Sequence, residues 1–245
     1  MMRRRHLLQG AAALPLAGPA AAQAARKQLR IAFPAPESTF DPPQTNSDYY
    51  SSTLIAQILE APLSYDYLAR PARLLPNTAA AMPEVSADGR SFTVRIRPGI
   101  FFADDPAFKG RPRELVAEDY VYSIKRFYDP KYNSGDLYLY EQQKLPGLSE
   151  LRQKALKERK PFDYDTPVEG LRALDRYTFR LTMGEDDPRF IYRFADAAVM
   201  GAVAREVVEF YGDEIGGHPV GTGAFRLKDW RRASRIVLER NPRFR

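Results

Sequence analysis

The sequence contains no cysteine and only two histidines, one of them, His6, at the extreme N-terminus. Without cysteine there is no disulfide, so the fold must be held by an apolar core. A lipid anchor of the kind that needs a cysteine just after an export segment is excluded as well. With His218 the only histidine beyond residue 6, neither a Cys-His pair nor a multi-histidine zinc centre can be assembled. No Ser-x-x-Lys stands in a catalytic context. After the first 24 residues no apolar run approaches the ~20 residues a membrane-spanning helix needs. One-sided charge is also missing. The formal net charge is +6, and three of those charges are Arg3, Arg4 and Arg5, which leaves +3 (6 − 3) for the remainder. Such a mixed surface gives no reason to expect a nucleic-acid partner. The Arg231-Arg232 pair and the basic run at 154–160 read as solvated faces.

What is present begins with an export segment. Arg3-Arg4-Arg5 precede a mildly apolar, Ala- and Gly-rich stretch at 7–22, and Ala22-Gln23-Ala24 is a small-x-small cleavage site. Gly10, Pro15, Gly18 and Pro19 break that stretch too often for a stable spanning helix. Arg4-Arg5-His6-Leu7-Leu8-Gln9 resembles a twin-arginine motif, whose route exports folded proteins, and the weak hydrophobicity favours it over the general pathway. The expected layout is a cleaved, twin-arginine-like signal peptide at 1–24 and an exported, periplasmic chain at 25–245.

Along that chain, 29–33 reads as a short buried strand ending at Pro34, and the proline-rich 36–43 must be extended or turning. Leu54, Ile55, Ile58 and Leu59 mark one face of a helix over 49–59. Asp88-Gly89 signals a hairpin turn, followed by Phe92, Val94 and Ile96 in the alternation of a half-buried strand closed by Pro98-Gly99. A helix over 118–128 carries acids first and bases last, the order its dipole favours, and Asp129-Pro130 stops it. The spacing further predicts a short helix at 149–157, a strand at 175–181, a helix at 203–211 and a hairpin from 224–230 to 235–240. With no regular strand-helix repeat, the class is a mixed α/β lobe with an inserted subdomain at about 50–180.

Candidate chemistry is sparse. Asp104-Asp105 and Asp186-Asp187 fall in turns and read as surface residues rather than acid-base pairs. Gly221-Thr222-Gly223 lacks the Lys-Ser/Thr of a phosphate loop and feeds a strand rather than a helix, so it reads as a tight backbone passage. Tyrosine is abundant at 14, and its broad apolar ring with a polar tip suits a recognition surface. About two thirds of these tyrosines are expected to pack inside.

Four segments in order carry a resemblance. Ser38-Thr39-Phe40-Asp41-Pro42, the turn and strand from Pro83 through Asp88-Gly89 to Ile100, the helix Glu118-Asp119-Tyr120-Val121-Tyr122-Ser123-Ile124-Lys125-Arg126, and Gly221-Thr222-Gly223-Ala224-Phe225 with its return through Arg240-Asn241-Pro242 are together similar to the family 5 extracellular solute-binding proteins. Departures occur at Phe102-Ala103-Asp104-Asp105, at an insertion over 106–113, at Ala224, and at Val116. The last stands where a threonine usually caps the helix; such a loss costs about 1 kcal/mol unless Asp119 or Glu118 compensates.

The resemblance implies a periplasmic binding protein-like fold (type II, family 5). The chain would hold most of a first lobe, the second being largely absent. It implies a monomeric, non-enzymatic receptor without cofactor or metal, which binds small peptides and delivers them to the permease subunits of an ABC importer. It also implies ligand contacts from Asn46, Ser47, Asp48 and the adjoining Tyr49, and from an aromatic after Asp129-Pro130, at Tyr138, with Gly135-Asp136 competing for that place. Two other readings stand beside it: a periplasmic hydrolase, and a truncated receptor fragment without function.

Overall fold

Prolines at 34, 36, 42 and 43 keep the first part of the chain out of regular helix, and Pro42–Gln44 form only a single 3-10 turn. Helix α1 (Tyr49–Ile58) starts where the Asp48 carboxylate accepts the Tyr50 amide, and it buries Leu54, Ile55 and Ile58. A hairpin of β1 (Leu63–Tyr65) and β2 (Leu74–Pro76) follows, then β3 (Glu84–Val85) and β4 (Ser91–Arg95) joined through the Asp88-Gly89 turn. Gly89 has φ +72°, a backbone conformation that favours glycine. As the alternation predicts, Phe92, Val94 and Ile96 are buried.

The chain continues through α2 (Ala117–Tyr128), α3 (Tyr138–Glu141), α4 (Leu148–Glu158), β5 (Leu171–Asp175) and β6 (Thr178–Thr182). It ends with α5 (Ala197–Met200), α6 (Arg205–Tyr211), β7 (Phe225–Arg231) and β8 (Arg235–Arg240). The main sheet has the order β3-β4-β6-β5 with antiparallel pairing throughout, and β7 and β8 form a separate antiparallel ribbon. This computed structural model describes residues 27–245. The expected export segment and its cleavage site lie outside the described residues. Phe33–Arg245 form one compact unit. No helix among the described residues is long and apolar enough to cross a membrane.

Two expectations from periodicity need correction. Residues 29–33 form no strand, and Leu29 and Ile31 are exposed; a buried strand needs a partner, and no described strand pairs with them. The single strand expected at 175–181 is a hairpin, in which Arg176 and Tyr177 form the turn between β5 and β6. Its apolar positions, Leu171, Phe179 and Leu181, do pack inside.

Helix α2 is the centre of the fold. It packs on β5, β6, α4 and α5, so the stripe visible in its sequence understates its burial. Several of its polar side chains find partners inside, whereas the Tyr128 hydroxyl and Arg126 Nε have none among the described residues. The Tyr120 hydroxyl meets Thr78 Oγ1 at 2.6 Å and donates to the Glu60 carbonyl at 3.1 Å. Ser123 Oγ accepts the Val203 amide at 2.8 Å. Lys125 Nζ donates to the carbonyls of Tyr164 and Thr166. At the helix start Val116 offers no cap, but Asp119 Oδ2 accepts the Val116 amide at 2.8 Å while Arg113 holds the same carboxylate from the other side. Asp119 therefore compensates in part: it holds the amide of Val116 itself, while no side chain at 116 accepts a first-turn amide.

The most buried charge on α2 is Arg126. Its Nη1 and Nη2 donate to Asp41 Oδ1 at 2.6 Å and Oδ2 at 3.0 Å, and both side chains are almost wholly inaccessible. Its guanidinium also lies over the Tyr132 ring, 4.5 Å from the centroid. Burial would lower the Arg126 pKa, and the Asp41 carboxylate reverses this and holds it above the ordinary value. Removing one partner leaves an uncompensated buried charge. Asp41→Ala is expected to cost about 3–5 kcal/mol in urea unfolding, whereas Asp41→Leu combined with Arg126→Met should lose less, because apolar replacement of both partners removes the desolvation cost.

Candidate functional site

The segments expected to meet a ligand meet each other. Beyond the 3-10 turn at Pro42–Gln44, Asn46 and Ser47 adopt left-handed backbone angles, with φ 49° and 58°. This turns the chain towards the loop before α3, 89 residues away, where the Asp136 carboxylate receives it. Asp136 Oδ2 accepts the Ser47 amide at 2.9 Å and Thr45 Oγ1 at 3.1 Å, and Asp136 Oδ1 accepts the Ser47 hydroxyl. In return, Asn46 Oδ1 accepts the Gly135 amide at 2.8 Å. A side chain at 135 would put its Cβ only 2.6 Å from that oxygen, which is why a glycine suits the approach.

Asp136 is 5% exposed, and each of its oxygens is engaged within the chain. Asp48 is similarly occupied: its Oδ2 accepts the Ser38 amide, the Ser38 hydroxyl and the Ser51 hydroxyl, and its Oδ1 accepts the Tyr50 amide. Burial raises the Asp48 pKa, but the hydrogen bonds from Ser51, Ser38 and Tyr50 outweigh it and hold the carboxyl below the usual range. Both carboxylates are thus spent on the architecture of the loop.

What the latch leaves outward is neutral and aromatic. Tyr49, two residues after Ser47, is 72% exposed, and Tyr138, two residues after Asp136, is 49% exposed. Asn46 and Ser47, just before Tyr49 in sequence, are exposed as well. Of the 14 tyrosines, nine are buried or half-buried, and Tyr49 and Tyr138 belong to the five that are exposed. Thr45, a buried member of the latch, escaped the sequence reading because a threonine in a turn carries no pattern of its own.

The remaining polar motifs are structural. Asp105 accepts the Ala107 amide and the Tyr211 hydroxyl, Asp104 pairs with Arg243 at 2.9 Å, and Asp187 accepts the Arg189 amide. At Gly221 and Gly223 an added Cβ would fall 2.0 and 2.6 Å from the Ile58 carbonyl oxygen, so these glycines let the chain press against the end of α1. No group of three or more His, Cys, Asp or Glu side chains suited to a metal occurs among the described residues.

Residues 73–245 match the family described as bacterial extracellular solute-binding proteins, family 5 Middle. The chain belongs to family 5. Among curated relatives of this family 5 chain are Di/tripeptide-binding protein 2 of Pseudomonas aeruginosa, 26% identical over 94% of the chain and 40% of the relative. The periplasmic oligopeptide-binding protein OppA of Escherichia coli is 28% identical over 97% of the chain and 40% of its own length. In structure the chain is similar to Haemophilus influenzae OppA in complex with RPPGFSPFR, with a TM-score of 0.65, 26% identity, and coverage of 86% of this chain and 37% of that one. It spans about 40% of the length of the curated relatives it matches.

Two measurements check the latch. Asp136→Ala leaves the Ser47 amide and the Ser47 and Thr45 hydroxyls without their acceptor, and should cost about 1–3 kcal/mol, with hydrogen exchange accelerated at residues 45–48. Because the Asp48 pKa is depressed on folding, its contribution is complete above about pH 4 and is lost as pH falls below that value. Asp48→Asn should therefore flatten the fall of the urea midpoint below pH 4, and an unchanged acid limb would refute this role.

Proposed function

We propose that this family 5 chain forms the ligand-facing first lobe of a periplasmic receptor that binds small peptides for an ABC importer. The family match over 73–245 carries this reading, and relatives named for di-, tri- and oligopeptides support the ligand class. In the proposed layout a signal peptide at 1–24 precedes lobe residues at 25–245, with a subdomain inserted at about 50–180. Permease subunits at the membrane are the proposed partners, and the receptor works as a monomer without catalysis.

Asn46, Ser47, Asp48, Tyr49, Asp136 and Tyr138 are the proposed ligand-proximal residues, in two kinds of role. Asp48 and Asp136 shape the loop, since their oxygens are already hydrogen-bonded within the chain. Tyr49 and Tyr138 offer ring faces, and Asn46 and Ser47 offer polar edges. A contact of this kind is tolerant of peptide sequence: aromatic area and water-bridged backbone groups do not select a particular side chain.

The test is titration of the isotopically labelled chain with a mixture of di- to hexapeptides, followed by amide chemical shifts. Weak binding, with a Kd near ~1 mM or about −4 kcal/mol, should move residues 46–49 and 136–138 and be abolished by Tyr49→Ala with Tyr138→Ala. Shifts confined to other regions would refute the site, cleavage of the peptides would refute the receptor reading, and a folded chain without any response would leave the fragment without function.

A further inference from the structure

We propose that the tip of the β1–β2 hairpin is a docking surface for an anionic lipid bilayer. Residues 66–73 connect the two short strands, and they present Tyr67 at 87% and Leu68 at 81% exposure. Large apolar side chains this open on a loop are costly to leave in water, and their combination with arginine is the composition of an interfacial anchor. Arg70 and Arg73 are exposed on the same tip, and Asp66 is the one acid among residues 65–73. The half-buried Asp66 caps the turn, its Oδ1 accepting the Leu68 amide at 3.0 Å, and its charge offsets one of the two arginines. Arg70 Nη1 folds back on the carbonyls of Ala69 and Tyr67, at 2.7 and 3.3 Å. The tip is thus ordered by its own hydrogen bonds, and it leaves Tyr67, Leu68 and Arg73 exposed.

A second element widens the surface. The ring of Tyr65 is stacked on Tyr192, with centroids 6.4 Å apart and planes 9° from parallel, and Tyr192 is itself half exposed. Tyr192 is followed by Arg193, and Arg189, almost fully exposed, stands 3.9 Å from the Asp187 carboxylate, so it adds little net charge there. The stacked Tyr65 and Tyr192, together with Tyr67, Leu68, Arg70 and Arg73, make up the proposed surface.

The shape selects the occupant. A stable protein partner needs roughly 800 Å² from each side, which a narrow hairpin tip does not offer. A bilayer makes no such demand: each tyrosine or leucine enters the headgroup region separately, and each arginine gains from the negative surface potential on its own. The inference is independent of the peptide reading.

The experiment is flotation of the full chain with vesicles of phosphatidylglycerol and phosphatidylcholine at low and high salt, alongside tip variants. Arg73→Gln should lower the partition coefficient roughly fivefold, and Tyr67→Ser with Leu68→Ser should lower it further, with unchanged circular dichroism in each case. Because every variant retains Arg3, Arg4 and Arg5, the difference from the unsubstituted chain reads the tip alone. Equal partition of variants and unsubstituted chain overturns the assignment, as does equal partition onto neutral and anionic vesicles.

Discussion

The bidentate pair between Asp41 and Arg126 joins the irregular N-terminal segment to the central helix, and most of the architecture is arranged around it. Both groups are almost completely withdrawn from water, so each is tolerable only because the other is in place. Asp41 precedes the turn that leads to Asn46 and Ser47, while Arg126 is three residues from the Asp129-Pro130 stop that leads to Asp136. One buried contact therefore sets the distance between the two loops that the Asp136 latch then closes. The two loops meet because their stems are joined by this pair.

Further contacts tie together three of the four short motifs. Asp41 of the first bonds Arg126 of the third. Gly221 and Gly223 of the fourth press on the end of α1, and Thr222 Oγ1 donates to buried Glu60 at 2.9 Å. Trp230 of that motif packs edge-on against Phe40 and, with the Ala233 amide, donates to Glu37. Asn241 Nδ2 donates back to the Gly223 carbonyl at 2.8 Å. The pairs Asp41–Arg126 and Phe40–Trp230 tie the first motif to the third and fourth, while Gly221, Thr222 and Gly223 bear on the end of α1 and Asn241 closes the fourth motif on itself.

This has a consequence for recognition. Carboxylates in a loop beside exposed aromatics suggest anchors for a peptide amine, yet Asp48 and Asp136 are saturated by amides and hydroxyls of their own chain. Tyr49, Tyr138, Asn46 and Ser47 are exposed there, and under the proposed reading such a surface favours breadth over selectivity. Charged discrimination of a ligand would require residues other than these two.

Local patterning determined a good deal. The alternation at Phe92, Val94 and Ile96, the Asp88-Gly89 turn, the helices α1, α2 and α4 and the terminal β7–β8 hairpin were legible because each depends on residues within one turn or one strand of each other. Ordered motifs carried the family. The strand expected at 29–33 and the undivided strand at 175–181 were misread because pairing is a property of two segments, and periodicity describes one. Only the tertiary structure decided that Arg126 is buried, that Asp119 is held between Arg113 and the Val116 amide, and that Asp136 holds Ser47 rather than standing free. Each of those facts is a bond between groups distant in sequence or hidden from the local pattern, and its energy depends on how much water the rest of the fold has removed.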